Sequence, residues 1–378
     1  MGEVIKNSID WLLNSDIRIK QGEDKGALYG WKDLTNFSYP FIYSEIVGYA
    51  LTCFSWINIE KSNDQALIAA RESSLWIRNN MKSNVLIAGK LNRETKFDLK
   101  GDLSNQVYSF DNGMILIGLL NLYKLDKDQE NLQAAIKIAD TLIDKFFDGT
   151  KMIAMLDGSL NPSKYGEGKW STMSGSFQAK IALGFSKLFK ITQKSIYKEV
   201  AYSLCDFALT KQYPDGRFKT NEKEEDLTFL HPHLYSCEGL LYTGLELAED
   251  RYIEAAMKGL EWALNQMDIN NGSLPRSTKE KVEQSDCMAQ LMRLLIVCYS
   301  ELKKRNNSNI DDIIEKIQKS LASLFILDGE NVGGIKYQNS SNQICTWCTM
   351  FAIQAFSFYD KLKETYNLSM ADMMEYYI

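Results

Sequence analysis

Thr228-Phe-Leu-His231-Pro-His233-Leu-Tyr235-Ser-Cys237-Glu238-Gly239 holds both histidines of the chain and runs from a polar loop into a strongly apolar segment. Pro232 fixes φ between the histidines and favours an extended approach before a helix begins. Tyr235, Ser236 and Glu238 then fall in the expected first turn, and Gly239-Leu-Leu-Tyr242-Thr-Gly-Leu245-Glu-Leu247 continues it. A helix start offers unpaired N–H groups and partial positive charge, which suit anionic or hydroxyl-rich groups. This layout, a polar loop feeding an apolar helix, recurs along the chain.

A helix apolar on every side is buried, whereas one with a single apolar stripe lies outside. Segments of the first kind open at Tyr43-Ser-Glu45-Ile-Val-Gly48, Tyr108-Ser-Phe-Asp111-Asn-Gly113 and Ser174-Gly175-Ser-Phe-Gln178. Three more open at the histidine stretch, at Asp286-Cys287-Met-Ala-Gln290 and at Trp347-Cys348-Thr-Met-Phe351. Striped segments follow the first five, at Asp64 to Met81, Asn131 to Phe147, Ile196 to Leu209, Tyr252 to Leu264 and Ile310 to Leu324. None follows the sixth, but the opening segment with Val4, Ile5, Ile9, Trp11, Leu12 and Leu13 is available to pair with it. The pattern predicts an all-α fold, an (α/α)6 toroid of six inner and six outer helices. Its period of roughly 50 to 66 residues suits a helical hairpin with an extended loop. Pro214-Asp-Gly-Arg217-Phe, Asn271-Gly-Ser-Leu-Pro275-Arg276 and Gly333-Gly-Ile-Lys-Tyr337 read as β-hairpin-like turns with scraps of strand.

The 378 residues are 45% hydrophobic and 24% charged, an ordinary globular composition. Five prolines and no Gly/Ser-rich tract leave no linker, so residues 1–378 read as one domain. A formal charge of −6 with dispersed Lys and Arg argues against nucleic acid as a partner. No apolar run is long enough to span a bilayer, and Met1-Gly-Glu-Val-Ile-Lys lacks the pattern of a secretory signal. The 7 cysteines are an odd number in a chain large enough to need no disulfide framework. A cytoplasmic location, away from membranes, is the expectation.

The six-fold alternation, with Tyr, Glu, Asp, His and Trp at the inner starts, resembles the six-hairpin toroids of carbohydrate-active enzymes. These include glycoside hydrolases, unsaturated glucuronyl hydrolases, polysaccharide lyases and N-acylglucosamine 2-epimerases. The resemblance covers the whole chain as architecture and selects no single reaction. It implies that the inner-helix starts gather at one mouth, where an oligosaccharide or polysaccharide substrate meets Tyr43, Glu45, Tyr108, Trp170, Gln178, Tyr235, Asp286, Gln290 and Trp347. Arg276 is the basic residue expected there, able to pair with a uronate, with Arg217, Lys219 and Arg293 as further candidates.

Glycoside hydrolysis needs a protonated acid facing an ionised base or nucleophile. Asp111 and Glu238, on inner helices two and four, are the expected pair; as first-turn carboxylates they also suit helix caps. His231 and His233 are further catalytic candidates, because histidine pairs serve the epimerases, although from well-separated helices. Cys237, Cys287, Cys345 and Cys348 fall near inner starts and, with the histidines, suit zinc of the kind held by lanthionine-cyclase-like toroids. The Cys-His-Gly element of those proteins is absent, so no metal and no cofactor is assigned. The expected activity is hydrolysis of a glycosidic bond. The alternatives are epimerisation or lysis of a uronate or N-acyl sugar through His or Tyr, and a ring that only binds a glycan or peptide.

Overall fold

Two inner helices are buried because their sequences carry no charge between first and last turns. In Ser44–Lys61 no charged residue separates Glu45 from Glu60, and in Ser109–Asp126 none separates Asp111 from Lys124. Both helices are buried continuously over their first fourteen residues. The computed structural model describes residues 2–81, 85–91, 105–163, 170–305, 309–365 and 368–378.

In chain order the helices are α1 (Gly2–Asn14), α2 (Ser44–Lys61), α3 (Asp64–Asn80), α4 (Ser109–Asp126), α5 (Gln129–Phe146), α6 (Ala182–Thr192) and α7 (Ser195–Thr210). They continue with α8 (Leu230–Leu247), α9 (Asp250–Leu264), α10 (Ser285–Val297), α11 (Tyr299–Lys304), α12 (Ile310–Ala322), α13 (Thr346–Glu364) and α14 (Met370–Met374). A 3-10 segment, Ser176–Ile181, runs directly into α6. Helices α2, α4, α6, α8, α10 and α13 pack each on the next, and α13 returns to α2 to close the ring. Outside them lie α3, α5, α7, α9, α12 and α1, one against each inner helix. The (α/α)6 toroid is therefore the fold, with α1 filling the outer place beside α13. Among the described residues no helix is long and apolar enough to cross a membrane.

Short strands pin the rim where the inner helices begin. They are β1 (Trp31–Asp33), β2 (Ile42–Tyr43), β3 (Lys90–Leu91), β4 (Val107–Tyr108), β5 (Met155–Leu156) and β6 (Gln343–Cys345). They pair antiparallel as β1–β6, β2–β3 and β4–β5. Strands β2, β4 and β6 each lead straight into an inner helix, which fixes Tyr43 and Tyr108 at the starts of α2 and α4.

A second device ties loops to the outer ring. Gly333 has φ +92°, and a Cβ built on it would stand 2.2 Å from the Asn7 oxygen of α1. Gly26, Gly216 and Gly272 meet the backbones of α3, α9 and α12 in the same way. By contrast Gly149, also left-handed with φ +96°, has nothing within 4 Å of that position. Gly149→Ala should therefore cost only the left-handed strain, about 1 kcal/mol, while Gly333→Ala adds a backbone collision and should cost about 2–4 kcal/mol. Paired urea titrations measure the difference, and equal losses would show that the α1 contact does not matter.

Candidate active site

Tyr43 and Tyr108 are the residues just before α2 and α4, so Glu45 and Asp111 fall in the first turns of neighbouring inner helices. Both carboxyls are buried, at 9% and 4% exposure. They hydrogen-bond to each other. Burial and the adjacent Glu45 hold Asp111 well above the ordinary carboxyl range. Burial also raises Glu45, but a hydrogen bond from Tyr43 and the charges of His231, Lys180 and Lys90 oppose it. Two carboxylates in contact cannot both ionise cheaply, and the stronger upward push falls on Asp111, which favours its protonated form. Asp111 Oδ2 has no hydrogen-bond partner among the described residues, and it lies 2.5 Å from where a Cβ on Gly89 would sit. The rings of Tyr43 and Phe41 stand 5.5 and 4.9 Å from the Lys90 ammonium, which adds positive charge beside the pair.

His231 occupies the first turn of α8, half-buried. Its Nδ1 lies 2.6 Å from Gln290 Oε1 and 3.6 Å from Asp286 Oδ2. Gln290 donates Nε2–H to Glu238 Oε1 at 3.3 Å, so its Oε1 must face the imidazole and Nδ1 must carry a proton. Neutral His231 therefore keeps Nε2 as its acceptor. Its ring rests on Tyr235, with centroids 4.3 Å apart, and stands 6.0 Å from Trp170. Asp286 accepts from the Trp347 indole at 3.2 Å and from the Cys287 N–H at 2.7 Å. Gln178 donates to Ser109 Oγ at 3.2 Å, and its own oxygen is buried without a partner among the described residues. Two groups thus form at the inner-helix starts, Tyr43, Glu45 and Asp111 on α2 and α4, and His231, Gln290, Asp286 and Trp347 on α8, α10 and α13, with His231 near enough for its charge to act on Glu45.

Five expected mouth residues lie elsewhere. Helix α8 begins at Leu230, ahead of Pro232, because a proline in the first turn withholds an N–H that has no helical partner anyway. Glu238 consequently sits two turns inside and fully buried, bound to Lys180 Nζ at 2.7 Å and to Arg293 Nη2 at 3.2 Å. His233, two residues beyond His231, points about 200° around the helix toward α9. There it accepts from the Phe218 N–H at 3.2 Å and bonds the Gly259 oxygen at 2.9 Å. Arg276 is half exposed and paired with Glu280 at 2.9 Å. Tyr235 is fully buried and accepts from the Tyr49 hydroxyl at 2.7 Å, below the mouth. Arg293, read as a loop residue, lies inside α10.

Sequence reading named Glu238 and Arg293 for the mouth but missed Lys180 and the buried group the three form, although a lone cation in an apolar segment was its signal. Lys180 is 1% exposed, and burial pulls its ammonium down to about 8 against the opposing pull of Glu238. The Arg293 guanidinium stands 4.3 Å from the Phe351 ring and 4.4 Å from the Tyr377 ring.

All seven cysteines are buried and none is in a disulfide. Among the described residues, His231, Asp286 and Cys287 form the group whose ligand atoms fit a metal ion, all within 4.8 Å of one another. Burial pushes the Cys287 thiol up, which disfavours a thiolate ligand, and the nearby Asp286 oxygens already accept protein donors. The group is therefore better suited to orienting His231 than to holding zinc.

No protein-family model matches the chain, and no curated protein is similar to it in sequence. Solved structures do share its fold. Cellobiose 2-epimerase from Bacillus thermoamylovorans B4167 superposes with a TM-score of 0.73 at 11% identity, covering 94% of this chain and 100% of its own. A D-mannose isomerase gives 0.74 at 10% identity, covering 96% and 97%. Unsaturated glucuronyl hydrolase from Bacillus sp. GL1 gives 0.70 at 12% identity, covering 94% and 97%.

His233 yields a pH test. Its pKa drops from 6.5 to about 4 because burial disfavours the imidazolium. The depressed folded value means its contribution to stability is complete above pH 6.5 and is lost as pH falls toward 4, by about 3 kcal/mol in all. His233→Gln should be less stable than the parent at pH 7 and close the gap toward pH 4 in urea titrations. A gap that stays constant over that range would refute the neutral, buried imidazole.

Proposed function

We propose that this protein is a carbohydrate-active enzyme that hydrolyses a glycosidic bond in an oligo- or polysaccharide. The observation that carries the reading is the pair of buried, neighbouring carboxyls Asp111 and Glu45 at the inner-helix starts, with Asp111 pushed toward its protonated form. Carboxyls in hydrogen-bond contact are too close to straddle a glycosidic bond, which takes a separation of about 5 Å or more. They act as one acid: Glu45, held by Tyr43, keeps the proton on Asp111 until Asp111 gives it to the leaving oxygen, and the proton that His231 takes from the attacking water passes to solvent, from which Asp111 is protonated again. The base comes from across the mouth, where His231 presents Nε2 with Asp286 beside it. Tyr43, Tyr108, Trp170 and Trp347 supply aromatic surface for sugar rings, and Gln178 supplies a free acceptor for a hydroxyl. Glu238 takes a positioning role through Gln290. The activities of the fold's neighbours, a glucuronyl hydrolase among them, agree with a sugar substrate.

A second reading is epimerisation or isomerisation, in which His231 Nε2 abstracts a proton beside a carbonyl. The Gln290 hydrogen bond favours it, because it fixes the basic nitrogen toward the mouth. Asp111 would then protonate the intermediate. Two epimerases or isomerases among the neighbours lend it support.

A panel of oligosaccharides and unsaturated uronates, assayed with Asp111→Asn, Glu45→Gln and His231→Gln beside the parent, separates these readings. Hydrolysis predicts reducing-end release, lowered about 10²–10⁴-fold by Asp111→Asn and by Glu45→Gln. Gly89→Ala, which crowds Asp111 Oδ2, should lower it as well. Deuterium uptake from solvent into an uncleaved sugar, abolished by His231→Gln, would replace hydrolysis with the second reading. Binding without turnover, unchanged in all three variants, would leave a non-catalytic ring and sink both.

A further inference from the structure

The residues after α14 close the ring from the end opposite the mouth. Tyr377 and Ile378 are 2% and 1% exposed, and their main chain is bonded to three inner helices. The Ile378 oxygen accepts from Lys180 at 3.1 Å and from Arg293 at 2.8 Å, and the Ile378 N–H donates to Gln354 Oε1 at 3.1 Å. Gln354 in turn donates to the Tyr376 oxygen at 2.8 Å and accepts from Arg293 at 3.0 Å. Farther out, Lys187 donates to the Glu375 oxygen at 2.8 Å.

These contacts matter beyond packing because of what Lys180 and Arg293 hold on their other side. Arg293 binds Glu238, Glu238 accepts from Gln290, and Gln290 accepts from His231. An unbroken series of hydrogen bonds therefore joins Ile378 to the imidazole at the mouth. We infer that residues 375–378 are a positioning latch, which sets the tautomer and orientation of His231 through Arg293, Glu238 and Gln290. The physical argument is desolvation. Tyr377 covers one face of the guanidinium, and the Ile378 oxygen satisfies a donor on each cation. Without the segment, water reaches Arg293 and Lys180 and competes for Glu238. Glu238 then ceases to hold Gln290 in one amide orientation, and Gln290 no longer enforces Nδ1–H on His231. The inference gives a regulatory lever to the base of the proposed reaction, but its test does not depend on turnover.

The chain has only two histidines, so nitrogen-15 labelling of histidine gives two resolvable imidazoles in the intact protein. In the parent above the imidazole titration, His231 should report mainly Nδ1–H, the tautomer that free imidazole side chains disfavour. Replacing Tyr376, Tyr377 and Ile378 together by glycine should shift the His231 majority to Nε2–H, as should the milder Gln354→Leu. Gln290→Leu removes the last bond and gives the reference spectrum for a released His231. His233, bonded to Phe218, Gly259 and Cys237 and outside this series, should keep the same signal throughout and report an intact fold. An unchanged His231 tautomer in the glycine variant and Gln354→Leu, alongside the Gln290→Leu shift, would overturn the latch. A parent His231 already in the Nε2–H form would overturn it too. If the latch fails while Asp111→Asn still abolishes cleavage, the proposed reaction stands without it.

Discussion

Three ionised side chains meet near the axis of the ring, where Glu238 lies between Lys180 and Arg293. Each comes from a different inner element: the 3-10 start ahead of α6, then α8 and α10. Taking one partner from such a group leaves an uncompensated buried charge, at a cost of about 3–5 kcal/mol. Replacing the whole group by apolar residues carries no such penalty, so it does not exist for stability alone. What it imposes is registry. Hydrophobic contacts between all-apolar helices tolerate rotation and sliding, whereas a carboxylate bonded to an ammonium, a guanidinium and an amide does not. That registry turns Gln290 beneath His231 and carries one hydrogen-bond series from the closed end of the ring to the open one.

The open end uses the opposite electrostatic arrangement. There, Glu45 and Asp111 are like charges in a dry site, with Lys90 near enough to favour ionisation of one of them. The difference between the two carboxyls follows from their surroundings. Glu45 has the Tyr43 hydroxyl and the charges of His231, Lys180 and Lys90 acting on it, whereas one oxygen of Asp111 has no partner among the described residues. A proton held on Asp111 at neutral pH is what an acid catalyst requires. Across the mouth, the proton on His231 Nδ1 faces Gln290, which leaves Nε2 to accept. In the proposed reaction the two sides would supply opposite halves of a proton transfer.

Much of this architecture is legible in the sequence. Helices buried on every side carry no amphipathic stripe, and the alternation of the two kinds, with α1 spare for α13, is enough to write the ring. Glu45 and Asp111 were also placed correctly in first turns, because β2 and β4 end one residue before each helix. The stretch Tyr235-Ser-Cys-Glu238 misled because Pro232 does not precede α8 but sits within its first turn. That shift of two turns moved Glu238 from the rim to the axis. Spacing along one chain also hid which carboxylates meet: neighbouring helices bring Glu45 to Asp111, whereas the expected pairing looked across the ring. His233 was hidden by helical rotation alone.

The shared proton is the claim on which the proposed chemistry rests, and infrared spectroscopy observes it directly. At pH 7 the parent should show the C=O stretch of a buried, protonated carboxylic acid, which Asp111→Asn removes. In Glu45→Gln, with its like charge gone, Asp111 should ionise at lower pH and the band should weaken. If the parent shows no such band, or Asp111→Asn leaves it untouched, Asp111 is not the proton-holding acid and the account of the mouth is wrong.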